Sequence, residues 1–323
     1  MTAQTPLRWA RAAAAVAVTL LVIKVVAAWL TGSRAVFSDA AESVVNVVAS
    51  GVMLLAVEAA SKPADTEHPF GHGKAELLAA AFEGALLLVA AAAIAWEAVP
   101  GLFSPEPVEH LGWGSVLIGI TAIGNAGFGW GLIRTGRRTN SPALVADGRH
   151  LLTDSVSTIV VLVAIGVVML TDLLWVDPAA ACAVATWIAY TGVKMISGAA
   201  RGLLDTRTPA YAHKIATALQ QDPVEGLLDP HDLRVIDATS NVVVLLHARA
   251  PWMWTLSQSR VVHDQATQRI AAVFDVPAEV HVQLEPCVPA NCAGCTVEGC
   301  ERRTTAYAGP STLDPVDISA PHP

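Results

Sequence analysis

Residues 75–99 read AELLAAAFEGALLLVAAAAIAWEAV, with carboxylates only at Glu76, Glu83 and Glu97. Wound as a helix, the run crosses a hydrocarbon layer about 30 Å thick, for which about 20 apolar residues suffice. Backbone in lipid must satisfy its own hydrogen bonds, so a run of this kind reads as a membrane helix. Similar runs occupy about 9–31, 35–59, 112–134, 142–170 and 175–199. The chain is 53% hydrophobic and only 15% charged, against about 25% charged in soluble proteins. The shortfall lies in residues 1–204, which predicts a six-helix transmembrane domain there.

Residues 205–286 read as a soluble domain. Pro209–Gln221 is predicted helical. His231–Thr239 and Val242–Ala250 are predicted strands around a turn at Ser240-Asn241. Leu256–Phe274 is an amphipathic helix, and Glu279–Glu285 alternates as a third strand. The order αββαβ predicts a small α+β sandwich. Residues 287–323 are rich in Pro, Gly, Thr and Cys and predict a flexible tail without its own core. The fold class is an α-helical membrane protein with six transmembrane helices followed by a cytosolic α+β domain.

Basic residues set the expected orientation. They lie at the N-terminus (Arg8, Arg11), between spans two and three (Lys62, Lys74), between four and five (Arg134, Arg137, Arg138, Arg149) and after six (Arg201, Arg207). The alternate loops hold only Arg34. Both termini are therefore expected in the cytoplasm of a cell-membrane protein. The first apolar run (Ala12–Leu30) is too long for a signal-peptide core. The net charge is −8, and residues 205–323 hold 14 Asp/Glu against eight Lys/Arg. That balance excludes a basic nucleic-acid footprint and suits a domain that gathers cations.

Charged groups inside a span are costly and mark functional positions. The second span carries Asp39, Glu42 and Asn46; the fifth carries Asp147, His150 and Asp154. Spacings of three and four put each triplet along one helix face. Where the two stripes meet, Glu42, Asn46, His150 and Asp154 form a four-ligand site. Imidazole with carboxylate oxygen suits a divalent transition metal. Glu42 and Asp154 together offset its two charges, and protons compete with the metal for the same ligands. The plainer alternative is polar glue between helices. A second candidate lies in the loop between spans two and three, where Asp65, His68 and His72 could clasp a metal; a solvated loop is the alternative.

The run His68-Pro-Phe-Gly-His-Gly-Lys-Ala-Glu76 resembles the signature of the cation diffusion facilitator family. So do Ser38-Asp39-Ala-Ala-Glu42-Ser-Val-Val-Asn46 and Asp147-Gly-Arg-His150-Leu-Leu-Thr-Asp154. The likeness covers residues 10–286. It implies a homodimeric proton antiporter exporting zinc, cadmium, iron, manganese, cobalt or nickel, with a metallochaperone-like cytosolic domain that binds metal at the dimer interface. It assigns the transport site to Glu42, Asn46, His150 and Asp154, and the loop site to Asp65, His68 and His72. It pairs Lys74 with Asp205 as a charge interlock. Zinc is the favoured cation, and no enzymatic cofactor is implied.

The sequence departs from the family in two places. Asn46 stands where the family has Asp, so one titratable ligand is missing. In the cytosolic domain the resemblance implies His231, His247, His263, Gln283 and Glu285, with Gln283 in place of a histidine. The tail adds Cys287, Cys292, Cys295 and Cys300, spaced C-x4-C-x2-C-x4-C, which fits tetrahedral zinc and, less well, an iron–sulfur cluster. Lys24, Glu83 and Asn125 read as structural, with Lys24 and Glu83 as a possible pair. A non-transporting metal sensor and a redox protein using the tail cysteines are the alternative functions. No H-E-x-x-H motif supports a metalloenzyme.

Overall fold

The computed structural model describes residues 4–31, 34–104, 113–171, 173–206, 209–238, 241–309 and 313–319. Within these, the side chains of 4, 24, 27, 28, 30, 31, 34–42, 113–118, 161, 165, 169, 177 and 317 lie outside the description. The chain forms two compact units, Met1–Leu204 and Asp205–Pro323.

The first unit is six long helices: α1 (Gln4–Thr31), α2 (Arg34–Ala60), α3 (Ala75–Phe103), α4 (Trp113–Thr139), α5 (Pro142–Thr171) and α6 (Val176–Leu203). Among the described residues, five contain stretches long and apolar enough to cross a membrane. The exception, α4, is 27 residues long; its last turns carry Arg134, Arg137 and Arg138. Large apolar side chains face outward, Trp96 at 86% exposure and Leu170 at 88%, an arrangement stable only against hydrocarbon.

The most extensive pairings are α3 with α6, α4 with α5 and α1 with α2. Two of them depend on glycine. A Cβ on Gly148 of α5 would lie 2.6 Å from the Gly129 carbonyl oxygen of α4, and one on Gly129 would lie 2.8 Å from the Gly148 carbonyl oxygen. A Cβ on Gly192 of α6 would lie 2.8 Å from the Gly84 carbonyl oxygen of α3. Backbones this close set how each helix is rotated. Gly148 adjoins Asp147, and Gly84 adjoins Glu83, so both contacts aim polar side chains inward.

The axial position of α5 is also fixed. Glu76, in the first turn of α3, is 5% exposed. Its Oε2 accepts hydrogen bonds from the Ser141 hydroxyl and, at 3.4 Å, from the Ala143 N–H. A carboxylate thus satisfies orphan donors at the N-terminus of α5, where the helix dipole favours negative charge.

The second unit runs α7 (Pro209–Gln221), β1 (Leu228–Asp237), β2 (Val242–Ala250), α8 (Leu256–Ala271), β3 (Ala278–Pro286), a 3₁₀ turn over Pro289–Gly294, and α9 (Pro315–Ser319). The sheet order is β1-β2-β3, with β1 antiparallel and β3 parallel to β2. Val242, Val244, Leu246 and Ala248 of β2 bury one face against Ile215 and Leu219 of α7 and Val262, Ala266 and Ile270 of α8. A capping box between Thr255 and Gln258 starts α8. The edge strand β1 begins three residues before its predicted start and is irregular there. Its register shifts on both sides of His231, and Asp229 and Asp232 adopt φ of 46° and 48°. Such bulges re-aim the side chain between them. The expected turn at Ser240-Asn241 lies partly outside the described residues.

Treating 287–323 as a coreless, flexible tail needs correction. Ile318 of α9 is 1% exposed and belongs to the domain core. Cys292 and Cys295 are buried in the folded 3₁₀ segment. The apolar spot left between α7 and β1 takes one late isoleucine, which composition alone does not reveal.

The close approach of α4 and α5 gives a direct test. Gly148→Ala inserts a methyl against backbone and is expected to destabilise by about 1–3 kcal/mol, read as a lowered thermal midpoint of the purified chain in detergent. An unchanged midpoint would show that the two helices can separate freely.

Candidate metal centres

His150, on the buried side of α5, is the centre of the intramembrane cluster. Its Nε2 lies 3.0 Å from Asn46 Oδ1 on α2 and 3.6 Å from Asp154 Oδ2 one turn along α5. Its Nδ1 lies 3.7 Å from Glu83 Oε2 on α3. Asp147, 1% exposed, is 3.4 Å from the Ser50 hydroxyl of α2. Asn46, Ser50, Asp147 and His150 line one cleft with Asn125 and Phe128 of α4. Of the four expected transport ligands, Asn46, His150 and Asp154 therefore come together. Glu42 lies in α2, and its side chain is outside the described residues, as is that of Asp39.

The loop cluster is built by a tight turn. The Gly71 N–H donates to the His68 carbonyl at 2.9 Å, with Pro69 at the second turn position as the turn prefers. Gly71 has φ +81°, a backbone that side-chain-bearing residues rarely adopt. The turn brings His72 back over His68, with ring centroids 4.3 Å apart. Asp65 Oδ1 accepts from the His68 N–H at 2.7 Å and the Glu67 N–H at 3.0 Å. Its carboxylate oxygens lie 3.3 Å from His68 Nδ1 and 3.4 Å from His72 Nε2. One ligand atom from each of Asp65, His68 and His72 falls within 4.8 Å of the others. The His68 backbone N–H is the main reason the Asp65 carboxyl titrates below its usual range.

The third cluster lies on the sheet face opposite α7 and α8. His231 and His247 are register partners. Glu285 Oε1 lies 3.1 Å from His247 Nδ1, and Glu285 Oε2 lies 3.8 Å from His231 Nε2. His231 Nδ1 sits 2.8 Å from the Asp229 carbonyl, which fixes its proton there and leaves Nε2 bare. A bare nitrogen facing a carboxylate is a donor set for a cation. Two expected members are not brought in. His263 projects from α8, which covers the other sheet face, and pairs with Asp264 at 3.1 Å. Gln283 pairs in register with His247 but is exposed and outside the cluster.

The tail cysteines stand apart. Among the described residues, no three of Cys287, Cys292, Cys295 and Cys300 gather as a ligand group. Arg303 instead organises the segment, donating to the carbonyls of Val297 at 2.6 Å and Cys295 at 2.9 Å. The Thr304 backbone N–H beside Cys292 lowers its thiol below the usual range.

The comparisons with known proteins bear on both units. Residues 10–204 match the family described as cation efflux transmembrane domain, and residues 209–287 match the cation efflux protein cytoplasmic domain. The chain belongs to the cation diffusion facilitator family. An uncharacterized transporter of Synechocystis sp. is 34% identical over 290 residues, covering 88% of this chain and 92% of that protein. The cation-efflux pump FieF of Klebsiella pneumoniae is 32% identical over 273 residues, covering 83% and 88%. Metal tolerance protein C1 of Arabidopsis thaliana is 31% identical over 283 residues, covering 83% and 59%. The chain is thus a multi-pass membrane transporter for metal-cation efflux, and its cytoplasmic domain is of the family's dimer-forming kind.

Two residues of this transporter that the sequence reading set aside as structural reach the intramembrane cluster. Asn125 lines the cleft. Glu83 was set against Lys24, whose side chain is outside the described residues; the structure places it beside His150. The signal was present in the spacing. Glu83 follows Glu76 by two helical turns, and His150 follows Ala143 by two turns, so the Glu76–Ala143 contact repeats deeper in the bundle as Glu83–His150.

The loop supplies a test with a defined sign. Because the Asp65 carboxyl is held below its usual value, its charge is present above that range and lost only as pH falls through the lowered value. Zinc release by protonation of Asp65 itself is therefore expected only below the ordinary carboxylate range. Asp65→Asn keeps an acceptor oxygen for the turn but removes the charge. It should lower loop zinc affinity about tenfold, in line with the loss of a charged partner, as measured by equilibrium dialysis of the full chain. Unchanged affinity would remove Asp65 from the ligand set.

Proposed function

We propose that this transporter exports a divalent transition-metal cation, zinc first, from the cytoplasm in exchange for protons. The observation that carries the reading is the approach of Asn46 and Asp154 to one nitrogen of a buried histidine inside the helix bundle. Glu42 completes the site as its fourth ligand. An imidazole with carboxylate and amide oxygens favours zinc, cobalt, nickel or ferrous iron over hard cations. Cation and protons compete for the same lone pairs, which couples entry of one to departure of the other.

The remaining features take supporting roles. Asp65, His68 and His72 form a loop site, and His231, His247 and Glu285 a sheet site whose occupancy favours dimerisation of the acidic domain by offsetting its charge. The basic loops place both termini in the cytoplasm.

Asn46 favours one rival, a metal sensor of the same fold that no longer transports. Vesicle flux separates the two. The purified chain in proteoliposomes should move zinc down a counter-directed proton gradient, and His150→Ala should abolish flux while leaving the dimer intact. Asn46→Asp adds a titratable ligand and should change the ranking of zinc, cobalt, nickel and ferrous iron, or the pH dependence of flux. An inert wild-type chain would support the sensor. Identical ranking and pH dependence after Asn46→Asp would place Asn46 outside the site.

A further inference from the structure

Glu83 is 1% exposed, and among the described residues neither of its carboxylate oxygens has a hydrogen-bond partner. A buried carboxylate in that condition is costly and is retained for a reason. Its near neighbour is the ring of His150, but on the edge away from the expected ligands. Glu83 Oε2 lies 3.7 Å from Nδ1, whereas Asn46 and Asp154 both face Nε2. One imidazole is thus flanked on its two nitrogens by different helices: α3 on one side, α2 and the next turn of α5 on the other.

A neutral imidazole carries one proton, and a cation can bind only the nitrogen that lacks it. If Nε2 takes the cation, the proton must sit on Nδ1, and there it meets Glu83. Metal-ligating histidines commonly donate their other N–H to a carboxylate, which fixes the tautomer, orients the ring and strengthens the ligand. We propose that Glu83 is the positioning residue of the transport site, holding the His150 Nδ1 proton so that Nε2 is presented to the transported cation. This rests on the transport-site reading of Asn46, His150 and Asp154. The 3.7 Å separation is longer than a hydrogen bond, and a side-chain shift of under about 1 Å closes it.

The empty and loaded sites then differ in a definite way. With Asn46 Oδ1 toward the ring, Nε2 must donate. With the amide turned over, Asn46 donates and the proton sits on Nδ1. Cation binding demands the proton on Nδ1, with the Asn46 oxygen turned to the cation, and Glu83 is the group that stabilises that tautomer. The carboxylate also supplies, one shell out, a negative charge near the place where Asn46 offers none. Its aim is set by its neighbour: the backbone contact of Gly84 with Gly192 locks α3 against α6, which turns position 83 toward α5.

The test uses the full chain in lipid nanodiscs with ¹⁵N-labelled histidine, loaded with zinc. His68→Ala and His231→Ala remove the competing sites, and the His150 signals are assigned by their loss in His150→Ala. The expected spectrum has zinc on Nε2 of His150 and the proton on Nδ1. Zinc on Nδ1 would overturn the proposal. Glu83→Leu should weaken zinc binding 10- to 100-fold, as loss of such partners does. Glu83→Gln, which keeps an acceptor oxygen, should weaken it less. Zinc affinity unchanged in Glu83→Leu would also overturn the proposal. Should either variant fail to fold, the tautomer of the wild-type chain decides alone. Retention of intramembrane zinc in His150→Ala would instead end the transport-site reading itself. Loss there with no effect of Glu83→Leu would end only the role of Glu83.

Discussion

Asp147 and His150 of α5 are buried where solvation is denied them, so they take partners on neighbouring helices. Asp147 has Ser50, His150 has Asn46, Asp154 and Glu83, and the helix N-terminus has Glu76. Each pairing specifies where α2 and α3 must stand. Hydrophobic packing contributes little to that choice, because lipid tails are as apolar as the helix faces. Close glycine contacts do the rest, bringing α4 onto α5 and α6 onto α3 until backbone meets backbone. The site is therefore a framework element of the bundle as well as its chemistry.

The chemistry follows from what these pairings lack. Glu83 lies 3.7 Å from His150 and Asp154 lies 3.6 Å from it, ionic neighbours rather than close hydrogen bonds. Asp154, held apart from Nε2, leaves room for a small cation on that edge of the ring, while Glu83 faces the other nitrogen. The two outlying clusters repeat the device at lower cost. In each, a carboxylate sits between two histidines, with Asp65 supported by a turn and Glu285 by a strand. Both are more exposed than the intramembrane cluster.

Much of this was legible in the residues. Apolar runs of membrane length gave the helices, and the αββαβ order followed from amphipathic periodicity, strand alternation and a turn. The stripes at Asn46 and at His150 with Asp154 were legible because three- and four-residue spacing describes one face of one helix. Contacts between helices were not. Glu83 looked isolated because its partner lies on another span, and only the repeat of the Glu76–Ala143 contact two turns deeper reveals it. His263 was misplaced for a related reason: sequence does not say which sheet face a helix covers. The tail was less legible. Its composition hid the burial of Ile318, and its cysteine spacing gave no sign of the carbonyl contacts that Arg303 makes there.

The central claim is that a metal cation is held within the bundle by one imidazole nitrogen and oxygen ligands. Zinc-edge X-ray absorption of the full chain in nanodiscs tests it most directly, with His68, His72, His231 and His247 replaced by alanine and Cys287, Cys292, Cys295 and Cys300 by serine, so that the intramembrane cluster is the candidate site left. The account predicts a first shell of one imidazole nitrogen with oxygens making up the remainder. A shell containing sulfur, or lacking imidazole, would contradict it.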